Sequence, residues 1–266
     1  MRLCIIAGSG DLPKNILNES LGKTQYISVI CIKNEADIHN FNHADNVVEI
    51  ALGKVGAAIE FLTTNRISHI IFAGSVKRPP LISIRADLEG TKLLALLLKE
   101  KFLGDDNLLK SVLRYFENLG FKILSPSELL ASKLLVGEAL TIHKPSTMAL
   151  EDIKLGKEIF KKIGKLDIGQ ALIISEKRTI AIEGAEGTDN MIKRSKEYVS
   201  NHSVLLKMHK QGQDERVDMP TIGPNTIEVM HTNNIKGIAV DRNVIILSMQ
   251  DTIDKANSLG IYIYII

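Results

Sequence analysis

Four short apolar runs mark the first 75 residues, at 2–7, 26–32, 45–50 and 69–73, and the first and last end at a glycine. They are rich in Ile and Val and scarcely alternate with polar residues, so they read as strands covered on both faces. Between the third and fourth runs, Val55, Ile59 and Leu62 recur at helical spacing over 53–65. A short helix fits between the first two. Strands separated by helices give a parallel sheet with helices on both sides, so the fold class is α/β with a Rossmann-like N-terminal domain.

Helical spacing returns over 88–98 and again over 107–118, where Leu108, Val112, Leu113 and Phe116 share a face. Gly120 ends that helix before a strand at 121–124. Pro126, Gly137 and Pro145 interrupt the next stretch, which divides the chain into domains 1–135 and 136–266. The second half has a different texture. Strands at 170–175 and 179–183 flank Glu176-Lys177-Arg178 as a hairpin. A helix is expected over 187–199 and a strand over 203–207, with a polar stretch without period from His209 to Pro224. Runs at 237–240 and 244–247 around Asp241-Arg242-Asn243 read as a second hairpin, with a helix at 252–258 and a last strand at 261–266. This is a mixed α/β domain, not a repeat of the first.

Composition narrows the function classes. The 266 residues are 45% apolar, enough for two cores, and a net charge of +2 gives no electrostatic case for nucleic acid. Cys4 and Cys31, the two cysteines, lie in apolar runs and read as reduced core side chains. No run of about 18 apolar residues spans a membrane and no signal sequence opens the chain. A cytoplasmic protein is expected, with peripheral contact to a membrane left open.

Two loops at strand ends suit phosphate. Gly8-Ser9-Gly10 with Asp11 comes after the first strand, where glycines let backbone N–H groups approach an anion. Pro13 replaces the third glycine of the dinucleotide fingerprint, and the second strand ends at Lys33 with no acid for an NAD ribose. A phosphate or ribose site and a tight structural turn both remain, and an NAD(P)- or nucleotide-sugar-dependent oxidoreductase is the weaker alternative. After the fourth strand come Gly74, Ser75, Lys77 and Arg78, again either a phosphate cradle or a solvated basic loop. Gly104-Asp105-Asp106 places two acids at a helix start, where one would suffice as a cap.

The second half concentrates acids. Glu183, Glu186 and Asp189, spaced by glycines around Thr188, stand between a strand and a helix and could hold Mg²⁺. Gln213, Asp214, Arg216 and Asp218 lie in the long polar connection. If extended, that segment puts Asp214, Arg216 and Asp218 on one face, with the Arg gripping phosphate or forming a surface ion-pair network. Lys207 and Lys210, just upstream, are positioned to clamp a diphosphate, or are an ordinary solvated pair. His209 reads as structural. No zinc-ligand spacing and no serine-hydrolase motif occurs. These residues describe a nucleotide- or phosphate-binding protein, either an enzyme with an acidic divalent-metal site or a non-catalytic nucleotide-binding regulator.

Across nearly the whole chain these motifs resemble the UDP-2,3-diacylglucosamine pyrophosphatase family, LpxI. The resemblance rests on Gly8 to Pro13, Ala73 to Pro79, Gly104 to Leu109, Asp167 to Gln170, Glu183 to Asp189, and Gln213 to Gly223. It implies two α/β domains, Mg²⁺-dependent hydrolysis of a lipid-linked nucleotide sugar to UMP and 2,3-diacylglucosamine 1-phosphate in lipid A biosynthesis, and attack at the phosphorus on the sugar side. It further implies an essential Asp, which maps to Asp218, a homodimer, and work at the cytoplasmic leaflet of the inner membrane. Where the family often shows Lys-Pro, this chain has Lys210-Gln211, which loosens the start of the polar loop.

Overall fold

The computed structural model describes the chain apart from residues 78–79, 81–82, 101–104, 131–133, 165–167, 211–213, 215 and 217–218, and apart from the side chains of 99–100 and 105–107. The chain forms two compact units, Met1–Ala131 with Asp214–Asp218, and Ser132–Gln213 with Met219–Ile266.

The first unit is a parallel sheet of β1 (Arg2–Ala7), β2 (Tyr26–Ile32), β3 (Asn46–Ile50), β4 (His69–Ala73) and β5 (Lys122–Ile123), in the order β3-β2-β1-β4-β5. Its helices are α1 (Leu12–Ser20), α2 (Val55–Thr64), α3 (Leu88–Glu100), α4 (Asp105–Asn118) and α5 (Ser127–Leu130). Unbroken apolar strands are required because both faces are covered. Leu3, Ile5, Val29 and Ile71 pack with Ile16 and Leu17 of α1 on one side. Cys4, Ile30 and Ile70 pack with Leu62 of α2 and with Leu113 and Phe116 of α4 on the other. Each such buried side chain contributes about 1.5–3 kcal/mol.

Asp87 sets the start of two helices at once. Its Oδ2 accepts the N–H groups of Gly56 at 2.9 Å and Ala57 at 3.4 Å in the first turn of α2. Its Oδ1 accepts that of Gly90 at 2.7 Å in the first turn of α3. Partial burial pushes the carboxyl pKa up, but the donors of Gly90, Gly56 and Ala57 together outweigh it and hold the group below its ordinary range.

The second unit is built on a sheet of β6 (Ala171–Ser175), β7 (Arg178–Ile182), β8 (Val204–Lys207), β10 (Gly237–Val240) and β12 (Tyr262–Ile265), in the order β12-β10-β8-β6-β7. Strand β6 runs antiparallel to both neighbours, and the β6–β7 hairpin forms as the sequence suggests. Glu176 and Lys177 turn it with φ of 51° and 62°, the left-handed region that such side chains avoid. Fully buried Asp152 holds them there by accepting their N–H groups at 2.9 and 2.7 Å. Asp152 comes from α6 (Thr147–Ile163), a helix that the sequence reading does not separate from the punctuated region before it. A second helix missed in that reading is α8 (Pro224–Thr232). The unit also contains α7 (Thr188–Arg194) and α9 (Met249–Ser258).

Two expectations are corrected. The helix expected over 187–199 stops at Arg194, where the N–H of Ser195 turns to the carbonyls of Met191 and Ile192 and its hydroxyl donates to Met191. Runs 237–240 and 244–247 do not form a hairpin. Strand β10 is already paired on both edges, in parallel with β8 and β12, so no edge remains for the next run. That run supplies β11 (Ile245–Ile246), which pairs in parallel with β9 (Thr221–Ile222) as a separate two-stranded sheet.

Candidate active site

In the first unit the strand order reverses between β1 and β4, the place where open α/β sheets bind ligands. The two loops leaving these strands meet there. The Gly8 N–H donates to the Ala73 carbonyl at 2.8 Å, and Ser9 and Ser75 exchange backbone hydrogen bonds at 2.7 and 2.9 Å. The Ser9 hydroxyl adds a bond to the Ser75 carbonyl at 2.9 Å. A Cβ on Gly8 would stand 2.4 Å from the Ser75 oxygen, and one on Gly74 would stand 2.6 Å from the Ser9 oxygen. The crossing of two backbones thus requires both glycines, whatever binds beside them. Gly10 and Asp11 differ: a Cβ on Gly10 meets nothing within 4 Å, and Asp11 stands exposed before α1. The Lys77 N–H donates to Glu35 at 3.0 Å, and Arg78 lies outside the described residues. Helix α4 begins at Asp105, but the side chains of Asp105 and Asp106 also lie outside them.

In the second unit, the end of β8, the start of β6 and the residue after β7 form one row across the sheet. Lys207 pairs with Ala171, whose carbonyl accepts the Glu183 N–H at 2.9 Å. Glu183 is 9% exposed. Its Oε2 accepts the Gln170 N–H at 2.8 Å, and its Oε1 accepts the Thr188 hydroxyl at 2.8 Å. Thr188, at the start of α7, in turn accepts the Lys207 ammonium at 3.0 Å. A buried carboxylate therefore reaches a cation through one hydroxyl, and the Lys207 Nζ is held at the carboxyl end of β8. Lys210 comes three residues later, between β8 and residues 211–213.

The three acids grouped in sequence have separate fates. Exposed Glu186 pairs with Arg194 at 2.7 Å, and this hydrogen bond holds its carboxyl below the ordinary range. Asp189 Oδ2 accepts the Asn225 amide at 3.0 Å. Among the described residues, no three His, Cys, Asp or Glu side chains gather to hold a metal ion. Glu183 and Glu186 are committed to protein partners, and half-exposed Asp189 is the member of this cluster whose donor chemistry fits a hard cation completed by substrate phosphate.

The polar segment belongs with the first unit. It is not extended at Asp214 and Arg216, as the shared-face reading required. The Arg216 N–H turns back to Asp214 Oδ1 at 3.1 Å, and its Nε and Nη2 grip both carboxylate oxygens at 2.8 and 2.7 Å. Arg216 holds the Asp214 carboxyl well below the ordinary carboxylate range. The remaining guanidinium nitrogen, Nη1, donates to Glu117 of α4. The sequence gives no sign of Glu117: it is 99 residues away and reads as an ordinary solvated helix acid. Asp241 reaches the Lys207 end of its sheet through its backbone, where its N–H donates to the Lys207 carbonyl at 3.1 Å. Gln213 and Asp218 lie outside the described residues. Among the described residues, none is a hydrogen-bond partner of the buried Nε2 of His209.

Comparison with known proteins agrees with the motifs. Residues 2–133 match the LpxI N-terminal domain, and residues 137–264 match the LpxI C-terminal domain. The chain is 29% identical to the UDP-2,3-diacylglucosamine pyrophosphatase LpxI of Caulobacter vibrioides, over 98% of this chain and 96% of that protein. With both domains present in order along its length, the chain belongs to the LpxI family.

Proposed function

We propose that the protein hydrolyses the diphosphate of UDP-2,3-diacylglucosamine, giving UMP and 2,3-diacylglucosamine 1-phosphate for lipid A biosynthesis. The observation that carries this reading is the family match along both units, joined to a relative named for that activity and aligned over 98% of the chain. The geometry supports it. Lys207, fixed through Thr188, is a preoriented cation for a phosphate oxygen, and such a group is worth about 100-fold or more when charge grows on that oxygen. In the reaction, water adds to the sugar-side phosphorus and the bridging P–O bond breaks. The electron pair leaves with UMP. Asp218 is the carboxylate we assign to orient that water and hold its proton.

Mg²⁺ is the cofactor of this reading, supplying positive charge beside the diphosphate. Asp189 or Asp218 is its candidate holder. A homodimer and peripheral contact with the cytoplasmic leaflet complete the proposal, since a substrate with two acyl chains resides in a membrane. Among the described residues no helix is long and apolar enough to cross one.

The test is UMP release from UDP-2,3-diacylglucosamine with and without Mg²⁺, in water labelled with ¹⁸O. The label should enter the sugar phosphate, and chelation of the cation should abolish turnover. Asp218→Asn and Asp218→Ala should stay folded by circular dichroism and lose about 100-fold or more in turnover. Near-wild-type rates in both variants would remove Asp218 from the mechanism, and absence of UMP from the wild type would remove the activity itself.

A further inference from the structure

Arg216 spends every arm of its guanidinium on a carboxylate. Two nitrogens form a fork on Asp214, and with the Arg216 N–H they close a local turn. The Nη1 bond to Glu117 ties this turn to a helix. Glu117 stands on a firm base, because Leu113 and Phe116 beside it are 0% and 4% exposed in the core of the first unit. Two turns earlier on the same helix is Lys110, whose charge also acts on Asp214. Helix α4 thus presents a positive and then a negative side chain toward an acid and a base of opposite sign.

The segment has an unusual place in the chain. Residues Asp214–Asp218 belong to the first unit, while the residues before and after them belong to the second. The Glu117 side chain is 37% exposed and that of Arg216 is 31% exposed, and ion pairs so open to solvent add little to global stability. Their effect is orientation.

We propose that Glu117 is a positioning residue for the acidic segment. By holding Arg216 against α4 it fixes the turn that Arg216 makes with Asp214. Glu117 touches no substrate in this role, which rests on the reading of 214–218 as the segment that carries out hydrolysis. Arg216, with its nitrogens committed, acts as a strut between Asp214 and the helix.

The experiment compares Glu117→Ala, Glu117→Gln and the control Glu19→Ala, which removes a more exposed surface pair with Lys23. UMP release, the melting temperature and hydrogen exchange at the Arg216 amide are measured on each full chain. In Glu117→Ala, kcat should fall about 10-fold through misplacement of the acidic segment, with KM within about twofold of wild type. The melting temperature should not move, and the Arg216 amide should exchange faster. Glu117→Gln keeps an acceptor oxygen and should recover part of the loss, while Glu19→Ala should match wild type in every readout. Unchanged kcat and exchange in Glu117→Ala would overturn the proposal. So would a loss of kcat that tracks a fall in melting temperature or that Glu19→Ala reproduces. If the wild type releases no UMP, the functional reading falls, and exchange alone then decides whether Glu117 anchors the segment.

Discussion

Replacing Thr188 by Val isolates the link between the buried acid and the cation of the second unit. The change keeps shape and volume, opens no cavity, and removes only the hydroxyl that donates to Glu183 at 2.8 Å and accepts from Lys207 at 3.0 Å. Glu183 is 9% exposed, so water replaces the lost donor poorly. A hydrogen bond to a charged partner contributes about 1.5–3 kcal/mol, which sets the expected loss near 2 kcal/mol. In a unit of this size that lowers the melting temperature by roughly 5–10 °C. Lys207 meanwhile loses this acceptor, and turnover should fall about 10-fold with the looser cation. Thr188→Ser restores the hydroxyl and should recover most of both losses. Urea unfolding should show a lower midpoint at unchanged slope, with UMP release measured on the same samples. A Val variant within about 0.5 kcal/mol of wild type would refute the claim that Thr188 bridges a buried carboxylate to a fixed lysine.

Asp87→Ala uncaps α2 and α3 together and should cost about 2–3 kcal/mol, at roughly 1 kcal/mol or more per cap, read from denaturant midpoints. Because the folded-state pKa of Asp87 is depressed, its contribution is fully present above the unfolded carboxylate pKa of about 4 and fades as pH falls through the lower folded value. The wild type should therefore lose more stability than Asp87→Ala on going from about pH 5 to pH 3, and equal losses would contradict the cap. Asp152→Ala leaves the N–H groups of Glu176 and Lys177 without their acceptor and should cost about 2–4 kcal/mol, read from urea unfolding midpoints. Lys177→Gly, which relieves a φ of 62°, should stabilise the same hairpin by about 0.5–1 kcal/mol in thermal unfolding.

How legible each part was depended on whether its cause is local. Strands β1, β2 and β4 are evident from their run of residues alone, since a strand covered on both faces is apolar at nearly every position. Helix α6 also has a local signal, with Ala149, Ile153, Gly156 and Phe160 buried every three or four residues. Lysines and glutamates interleave them, and Pro145 looks like a break. It is better read as the residue before the cap, for the Ser146 hydroxyl accepts the Ala149 N–H at 3.2 Å. Helix α8 likewise opens with a proline, Pro224, in its first turn, a starting signal that in sequence passes for the end of a loop. Strand partnership is not local. The run at 244–247 looks like the return arm of a hairpin until β8 and β12 are seen to occupy both edges of β10.

The same distinction governs the candidate site. The acidic and glycine motifs carried the family resemblance, but a motif does not say which member meets the substrate. Glu183 and Arg216 stand inside motifs, yet each spends its charge on protein partners: Glu183 on Thr188 and the Gln170 amide, Arg216 on Asp214 and Glu117. Gly8 and Gly74 are glycines because two backbones cross there. Lys207 gains its fixed place from a strand pairing and a hydroxyl 19 residues away. A charged residue in such a protein can serve the reaction by touching the phosphate or by holding the group that does. The two roles differ in what the rest of the chain asks of the side chain, so they separate only when its partners are known. For Glu183 and Arg216 the partners leave little charge to offer a ligand. For Lys207 the Thr188 hydroxyl fixes the ammonium at the end of its strand, a placement that strand pairing and a distant side chain set together and that no local pattern could show.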